Sequence, residues 1–273
     1  MTAADGAAST HLGRLWLYIV AIAALAFLIL PTLLIVPMSF TATSVLRFPP
    51  ENWSMRWYRA WLADPGWRDA TVISFQAATL TTAVATPLGI AAAYATRAVG
   101  GRAAHALAVM LTLPMLMPAI LIGIGLYLIY VPLGFNNTLT GLVLAHISLT
   151  IPYVYVIMLT RLRDFDFRQE QAARSLGCTR LRAFLSVTLP QVRASAIAAA
   201  LLAFIFSFDE GVVAYFIATG SGSTLPRRMF LALQFGIDPT IAAISSGLIL
   251  LTIVVAITTQ LAQSRGRTGN GDT

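Results

Sequence analysis

The sequence predicts an all-α membrane protein with six transmembrane helices, and two features of the chain carry that prediction. Of its 273 residues, 58% are hydrophobic and only 11% are charged, which excludes an ordinary water-soluble domain. In addition, six apolar runs are long enough to cross a hydrocarbon core of about 30 Å. They lie at about residues 15–40, 71–96, 103–130, 138–160, 194–218 and 240–261.

Each run is expected to form one helix. The first is too long for a cleaved signal peptide and lacks a small-residue cleavage site, so we expect it to be retained. The third contains "LPMLMPAILIGIGL", in which Pro114 and Pro118 remove backbone donors and are expected to kink or break the helix. Two connections between the runs are long, at residues 41–68 and 161–193.

The distribution of arginine predicts the orientation, because cytoplasmic loops of membrane proteins carry an excess of basic residues. All 18 basic residues are arginine, and six spans place Arg47, Arg56, Arg59, Arg68, Arg227 and Arg228 on one side. The other side takes Arg14, Arg97, Arg102, Arg161, Arg163, Arg168, Arg174, Arg180, Arg182, Arg193, Arg265 and Arg267. Both termini are therefore expected to be cytoplasmic. The net charge of +7 reflects this topology and does not indicate nucleic-acid binding, which needs a solvated basic face.

The two long connections help to define the regions into which we expect the chain to be organised. In the outer one, Trp53, Trp57 and Trp61 have helical spacing that suits a helix in the membrane interface. We expect an N-terminal tail, first span and outer loop in residues 1–68, five helices with the cytoplasmic loop 161–193 in residues 69–262, and a cytoplasmic tail in residues 263–273.

The cytoplasmic loop predicts two short helices around a glycine. Gly177 is placed to end the first helix in the left-handed conformation. Thr179 can cap a second helix with an apolar stripe, from which Pro190 leads into the fifth span. Taken alone, such a unit fits either a contact for another protein or a helix on the membrane surface.

The segment "QAARSLGCTRLRAFLSVTLPQV" resembles the loop signature of membrane subunits of binding-protein-dependent ABC importers. That signature is Glu-Ala-Ala, three residues, Gly, and then Ile/Val-x-Leu-Pro about nine residues later. The matching positions are Gln171, Ala172, Ala173, Gly177, Val187, Leu189 and Pro190. Gln171 departs from the family's Glu, and Glu170 is one residue out of phase. The resemblance implies a type I ABC importer permease fold in which this loop forms a coupling helix docked on an ATPase.

Downstream, "FSFDEGVVAYFIATGSGSTLPRRMFLALQFGIDPTIAAISS" is similar to the spermidine/putrescine branch of these permeases. The branch contains Ser-Phe-Asp-Asp, Val-Val, Thr-Leu-Pro, Gly-x-x-Pro and Ala-x-Ser in this order. The matching positions are Ser207, Phe208, Asp209, Glu210, Val212, Val213, Thr224, Leu225, Pro226, Gly236, Pro239, Ala243 and Ser245. Polyamines are therefore the expected substrates. Within the same class, an importer of ferric ion, thiamine, an opine or an amino-acid derivative remains the alternative.

The resemblance also implies a location and partners. It indicates a multi-pass subunit of the bacterial inner membrane, surrounded by lipid, that transports and catalyses no covalent chemistry. Its partners would be two ABC ATPase subunits, a homologous second permease and an extracytoplasmic binding protein. The partner ATPases would use ATP and Mg, and this chain would bind no cofactor and no metal. With no lysine, the chain cannot form a Gly-x4-Gly-Lys-Ser/Thr nucleotide loop.

Asp209 and Glu210 stand side by side in the apolar fifth run. An acid near the centre of a membrane helix costs roughly 2.5–3.5 kcal/mol, so each should face a cavity or a partner. Adjacent residues point about 100° apart on a helix. We expect Asp209, and secondarily Glu210, to line the outer part of a cation pathway with Ser207 and Phe208.

Other interpretations of these residues stay open. The acids could instead cap a helix break at Gly211, or be neutralised by Arg227 or Arg228. In the fourth span, His146 fits either a pH switch or hydrogen-bonded packing. An intramembrane enzyme would need two acids converging from different spans, and a secondary transporter would favour inverted repeats. The sequence displays neither, and no catalytic residue is assigned.

Overall fold

A computed structural model describes residues 15–235 and 238–268. Every regular element in these residues is a helix, which confirms the all-α class. The helices are α1 (Leu15–Met38), α2 (Arg56–Ala63), α3 (Pro65–Val99), α4 (Gly101–Leu116), α5 (Ala119–Leu133), α6 (Leu139–Arg163), α7 (Arg168–Ser175), α8 (Arg180–Ala183), a π-helical segment (Phe184–Thr188), α9 (Leu189–Asp209), α10 (Val212–Ile217), a 3-10 turn (Gly220–Gly222), α11 (Leu225–Phe235) and α12 (Thr240–Thr268). The assignments made for Arg14 and Gly236, and for the side chains of Arg265 and Arg267, lie outside the described residues.

The chain folds as two compact units. One lies within Met1–Asp64 and Ala232–Thr273, and the other is Pro65–Leu231. In the first unit, α12 packs against α1 and α2, and a Cβ at Gly247 would come within 2.9 Å of the Trp61 ring. The prediction of three tryptophans on one outer helix is wrong for Trp53, which precedes α2 and forms an isolated antiparallel bridge with Thr41.

Among the residues that the structure describes, four helices are long and apolar enough to cross a membrane, by length and composition alone. They are Trp16–Met38, Pro65–Val99, Leu139–Arg163 and Arg180–Asp209. The predicted third span is instead a pair of helices, α4 and α5, bent by 100° at their break, and counting the pair as one span gives five. The predicted sixth run lies within α12, of which Thr240–Val254 is the apolar part with fully described side chains.

The break between α4 and α5 has a local cause at Pro118. Met117 is extended, with ψ 136°, and Pro118 caps the start of α5. A proline disfavours the helical conformation in the residue before it, and its ring removes one backbone donor. The sequence therefore predicts the position of this break, and the structure adds that the chain turns there by 100°.

The second unit is built around α3, α6 and α9. Small residues line α3 where it meets α6: Ala77, Ala78, Ala85 and Ala93 are fully buried, and a Cβ at Gly89 would lie 2.6 Å from Val154. Small side chains let membrane helices approach closely. The part of this core that continues to Phe165, in the loop at residues 161–193, includes Ala93, Tyr155, Met158, Leu162, Val192 and Ala199.

The loop at residues 161–193 begins as the sequence predicts and then departs from that prediction. Gly177 follows α7 with φ +94°, and the Thr179 hydroxyl accepts the Arg182 backbone N–H at 3.3 Å. The second short helix is not separate, because α8 continues through the π-helical segment into α9. In that segment the Leu189 N–H bonds to the Phe184 carbonyl. The wider π turn lies directly before Pro190, which cannot donate to residue i−4 and would crowd its carbonyl in a regular α-helix.

Candidate functional site

The two neighbouring acids lie at a helix break. Helix α9 ends at Asp209, Glu210 is extended with ψ 106°, and α10 begins at Val212. The Glu210 carboxylate accepts the backbone N–H groups of Val212 (3.1 Å), Val213 (3.0 Å) and Ala214 (3.2 Å). The first N–H groups of a helix have no partner within it, and a carboxylate there also complements the helix dipole. Glu210 therefore caps α10.

Glu210 also belongs to a buried polar cluster that joins α6 to the end of α9. The Ser207 hydroxyl lies 2.8 Å from His146 Nδ1, and His146 Nε2 lies 3.7 Å from Glu210 Oε2. The three residues are 2%, 1% and 9% exposed. Sequence reasoning treated His146 as isolated and missed this cluster. The available signal was the i, i+3 spacing of Ser207 and Glu210, which places both on one helix face.

Asp209 has the opposite environment from Glu210, since it is exposed while Glu210 is buried. The two acids thus separate, as the rotation between adjacent helical residues predicts. Beside Asp209, Phe208 packs edge-on against Phe75 of α3, with ring centroids 4.9 Å apart. Phe204 stacks on Phe208 at 6.0 Å. The exposed Asp209 therefore directly follows, along the chain, one residue of a cluster of three aromatic rings.

A groove of about 460 Å³ extends from this aromatic cluster along α3. It is lined by Phe75, Gln76, Thr79, Leu80 and Leu139. Gln76 and Thr79 are both exposed, which is unusual for polar side chains on a helix of membrane-spanning length unless they face a cavity or a partner. Phe75 belongs to both the groove and the aromatic cluster, so the two form one surface.

Arg227, which the sequence offered as a neutralising partner for the acids, has other contacts. Its Nη1 donates to the Ser223 hydroxyl at 3.1 Å, its Nε donates to the Tyr215 carbonyl at 3.3 Å, and its guanidinium lies 5.7 Å from the Tyr215 ring centroid. Burial lowers the pKa of this guanidinium, which stays charged at neutral pH because arginine starts so high. The guanidinium of Arg228 lies over the Trp67 ring.

The residues that the sequence predicts to contact an ATPase lie in the loop at residues 161–193, and most of them are exposed. Gln171, Ala172, Gly177 and Pro190 are exposed, whereas Ala173 and Leu189 are half-buried. Large apolar side chains accompany them: Leu176, Leu181 and Leu185 are 88%, 68% and 51% exposed. Contiguous exposed apolar side chains rimmed by polar residues are typical of protein or membrane contacts.

Comparison with known proteins identifies the family. Residues 85–265 match the family described as "Binding-protein-dependent transport system inner membrane component". The chain belongs to this family. It is therefore an inner-membrane permease of a binding-protein-dependent ABC importer, a transport component and not an enzyme. Membership confirms the predicted multi-pass membrane protein, and it removes the intramembrane enzyme and the secondary transporter as alternatives.

Curated relatives of the permease cover most of the chain. The putrescine transport system permease protein PotI of Escherichia coli K12 is 32% identical over 238 residues, covering 85% of this chain and 84% of PotI. The spermidine/putrescine transport system permease protein PotC of the same strain is 28% identical, covering 90% and 94%. The trehalose transport system permease protein SugB of Mycobacterium tuberculosis is 27% identical, covering 88% and 89%.

Two solved structures share the fold of the permease. A bacterial ABC transporter involved in the import of the acidic polysaccharide alginate aligns with a TM-score of 0.67 at 16% identity, covering 97% of this chain and 98% of that one. The MetNI methionine ABC transporter, in an inward-facing conformation, aligns with a TM-score of 0.59 at 16% identity, covering 77% and 97%. These similarities confirm the type I permease fold.

The cap formed by Glu210 leads to a stability prediction. Glu210→Ala removes the acceptor for three backbone N–H groups, and we expect it to lower the free energy of unfolding by about 1.5–3 kcal/mol, the range for hydrogen bonds to charged groups. The measurement is the midpoint of thermal unfolding in detergent. Glu51→Ala is the control, since Glu51 forms only an exposed ion pair with Arg47, which is worth at most about 1 kcal/mol. Equal midpoints for the two variants would contradict the capping role.

Proposed function

We propose that this chain is the permease subunit of an ATP-driven importer of polyamines such as spermidine and putrescine, delivered by an extracytoplasmic binding protein. The observation that carries the proposal is the exposed carboxylate of Asp209, the chain neighbour of Phe208 in the Phe75–Phe204–Phe208 cluster. The names of PotI and PotC, which align over most of the chain, support the same substrate class.

The chemistry of this surface suits a flexible polyamine. Such a molecule alternates ammonium groups with short apolar segments. A carboxylate attracts the ammonium groups, aromatic faces attract cations and accept methylene segments, and the Gln76 amide in the adjoining groove offers a hydrogen-bond acceptor. A neutral sugar such as trehalose has no positive charge for the Asp209 carboxylate to attract, so this carboxylate favours a cationic substrate. Ser207, buried against His146, would support this surface from behind.

We propose that the exposed apolar surface of the loop at residues 161–193 binds a partner protein. Two ABC ATPase subunits would use ATP and Mg, and one of them would receive the loop that carries Gln171, Ala172, Ala173, Gly177, Leu189 and Pro190. A homologous second permease would complete the pathway. Both termini would be cytoplasmic, which places this loop on the ATPase side. The exposed Leu176, Leu181 and Leu185 supply the apolar surface that such an interface needs.

One continuous helix connects the proposed ATPase contact to Asp209. Arg180–Asp209 runs without interruption for 30 residues, which corresponds to about 45 Å at 1.5 Å per residue. A displacement of the cytoplasmic loop would therefore be carried along a rigid element to Asp209. In this mechanism ATP-driven closure of the ATPases moves the loop, and the helix re-orients the carboxylate that holds the substrate.

Uptake of labelled spermidine and putrescine tests the proposal. We expect uptake in cells that carry this gene together with its partner genes, and loss of uptake when this gene alone is removed. The host should lack other polyamine importers, and uptake of labelled trehalose in the same cells serves as the comparison. Uptake of trehalose with neither polyamine would overturn the polyamine assignment.

A further inference from the structure

Glu170, one residue before the family's loop signature, is buried where three elements meet. It lies on α7 and is 3% exposed. Its Oε1 accepts the hydroxyl proton of Tyr94, which lies on α3. Its Oε2 accepts the hydroxyl proton of Thr188, in the π-helical segment, at 2.6 Å. One carboxylate therefore connects the coupling helix to two long helices of the core.

A cation completes this network from the surface. Arg180 Nε donates to the Tyr94 hydroxyl oxygen at 3.2 Å, and its guanidinium lies 5.2 Å from the Tyr94 ring centroid. The Tyr94 hydroxyl thus links the guanidinium to the Glu170 carboxylate. Phe184 packs edge-on against the same ring at 4.8 Å, so the position of the hydroxyl is fixed by packing as well as by hydrogen bonds.

The formation of helix α7 does not by itself explain why Glu170 is buried. A short surface helix is stable with an apolar residue on its inner face, and removing a carboxylate from water is costly unless both oxygens are bonded. Here each oxygen has a hydroxyl donor on a different element. Gln171, the next residue, is exposed. The two neighbours therefore face opposite ways, one to the core and one toward a partner.

We infer that Glu170 is a positioning residue that fixes α7 to α3 and to the π-helical segment, so that a displacement of α7 by the ATPase moves both long helices together. This inference rests on the proposed function, because it takes the loop to be the contact with the ATPase. The physical ground is that coupling between distant sites travels through contiguous hydrogen-bonded and packed groups. Without the carboxylate, α7 can shift while α3 and α9 stay in place.

The test is the ratio of putrescine transported to ATP hydrolysed, measured with the complete importer in proteoliposomes. For Glu170→Ala we expect ATP hydrolysis within about twofold of the wild type and a ratio lower by about tenfold. Glu170→Gln keeps the shape and one acceptor oxygen, and we expect an intermediate ratio.

The control is Asp164→Asn, which removes an exposed carboxylate from the same loop and should leave the ratio unchanged. A purely structural role would lower transport and hydrolysis together, and an unchanged ratio for Glu170→Ala would overturn the inference.

Two variants that each remove one hydroxyl group test the same inference if the importer with Glu170→Ala does not assemble. Tyr94→Phe and Thr188→Val each remove one donor to the carboxylate, and we expect each to lower the ratio by about threefold. Because both donate to the same carboxylate, we expect each substitution to lower the ratio less in the Glu170→Gln background than in the wild type. Tyr155→Phe is the control: it removes another buried tyrosine hydroxyl, which bonds to Thr96. Full additivity, or an equal effect of Tyr155→Phe, would contradict the inference.

A second measurement does not depend on the substrate. Cys178 is the single cysteine of the chain and lies directly after Gly177, so a spin label there reports on the end of α7 in an importer with cysteine-free partners. We expect the label to be more mobile in Glu170→Ala and unchanged in Asp164→Asn. An unchanged spectrum in Glu170→Ala would overturn the inference. Failure of the wild type to transport putrescine would instead count against the proposed function alone.

Discussion

Gly177→Asp is expected to abolish polyamine uptake while the protein still reaches the membrane. Gly177 has φ +94°, a region that non-glycine residues enter at a cost of roughly 1–2 kcal/mol, with aspartate and asparagine among the most tolerant. Apart from its two chain neighbours, no described residue has an atom within 4 Å of an added Cβ. The loss is therefore expected to come from a charged side chain projecting into the proposed ATPase contact and not from a clash inside the permease.

Two variants separate these causes. Gly134→Asp imposes a comparable backbone strain, since Gly134 has φ +72° with open space around it, but it lies between α5 and α6. Gly177→Asn keeps the size of the new side chain and removes its charge. Uptake and membrane abundance are measured for all three variants. We expect uptake to survive in Gly134→Asp and to be partly retained in Gly177→Asn. Normal uptake in Gly177→Asp would remove the coupling role from this loop.

Asp209→Asn is expected to lower putrescine and spermidine uptake by about tenfold at unchanged membrane abundance. The substitution keeps the volume and removes the charge. Tenfold corresponds to about 1.4 kcal/mol, between the values of about 1 kcal/mol in water and about 4 kcal/mol near a protein surface for two unit charges 4 Å apart. Asp209→Glu keeps the charge, and we expect it to retain most of the uptake.

The matched control for this prediction is Glu51→Gln, which neutralises another exposed carboxylate, paired with Arg47 at 3.1 Å. It should leave uptake unchanged. ATP hydrolysis stimulated by the binding protein should persist in Asp209→Asn, because the cytoplasmic loop is intact. If both polyamines enter Asp209→Asn cells at the wild-type rate, Asp209 is not part of the pathway.

Much of the fold follows from local sequence. Long apolar runs become helices because every backbone group in a membrane must be bonded within its own segment. Pro118 marks the break between α4 and α5, and Gly177 marks the end of α7, since both act through their own backbone angles. The angle of the α4–α5 bend and the fusion of α8 with α9 were not predictable, because they depend on how the following helix packs.

Local sequence likewise predicts one part of the candidate site and does not predict another. Helical rotation predicts that Asp209 and Glu210 separate, and the structure adds that Glu210 leaves α9 and caps α10. The contacts of His146 and Glu170 do not follow from local sequence, because their partners lie far along the chain: Ser207 is 61 residues from His146, and Tyr94 is 76 residues from Glu170. Which helices face one another is decided by the packing of small residues such as Gly89 against Val154, and a single sequence does not encode that pairing in a recognisable pattern.

The π-helical segment Phe184–Thr188 also has an evolutionary consequence. It is equivalent to one residue inserted into a helix, and one residue changes the helical phase between the two ends by about 100°. In the proposed mechanism, the end at the ATPase contact and the end that carries Asp209 can therefore evolve different helical phases. If the proposed function holds, loss of that one residue in a descendant would turn Asp209 by about 100° relative to the loop, and so move the carboxylate that is proposed to hold the substrate.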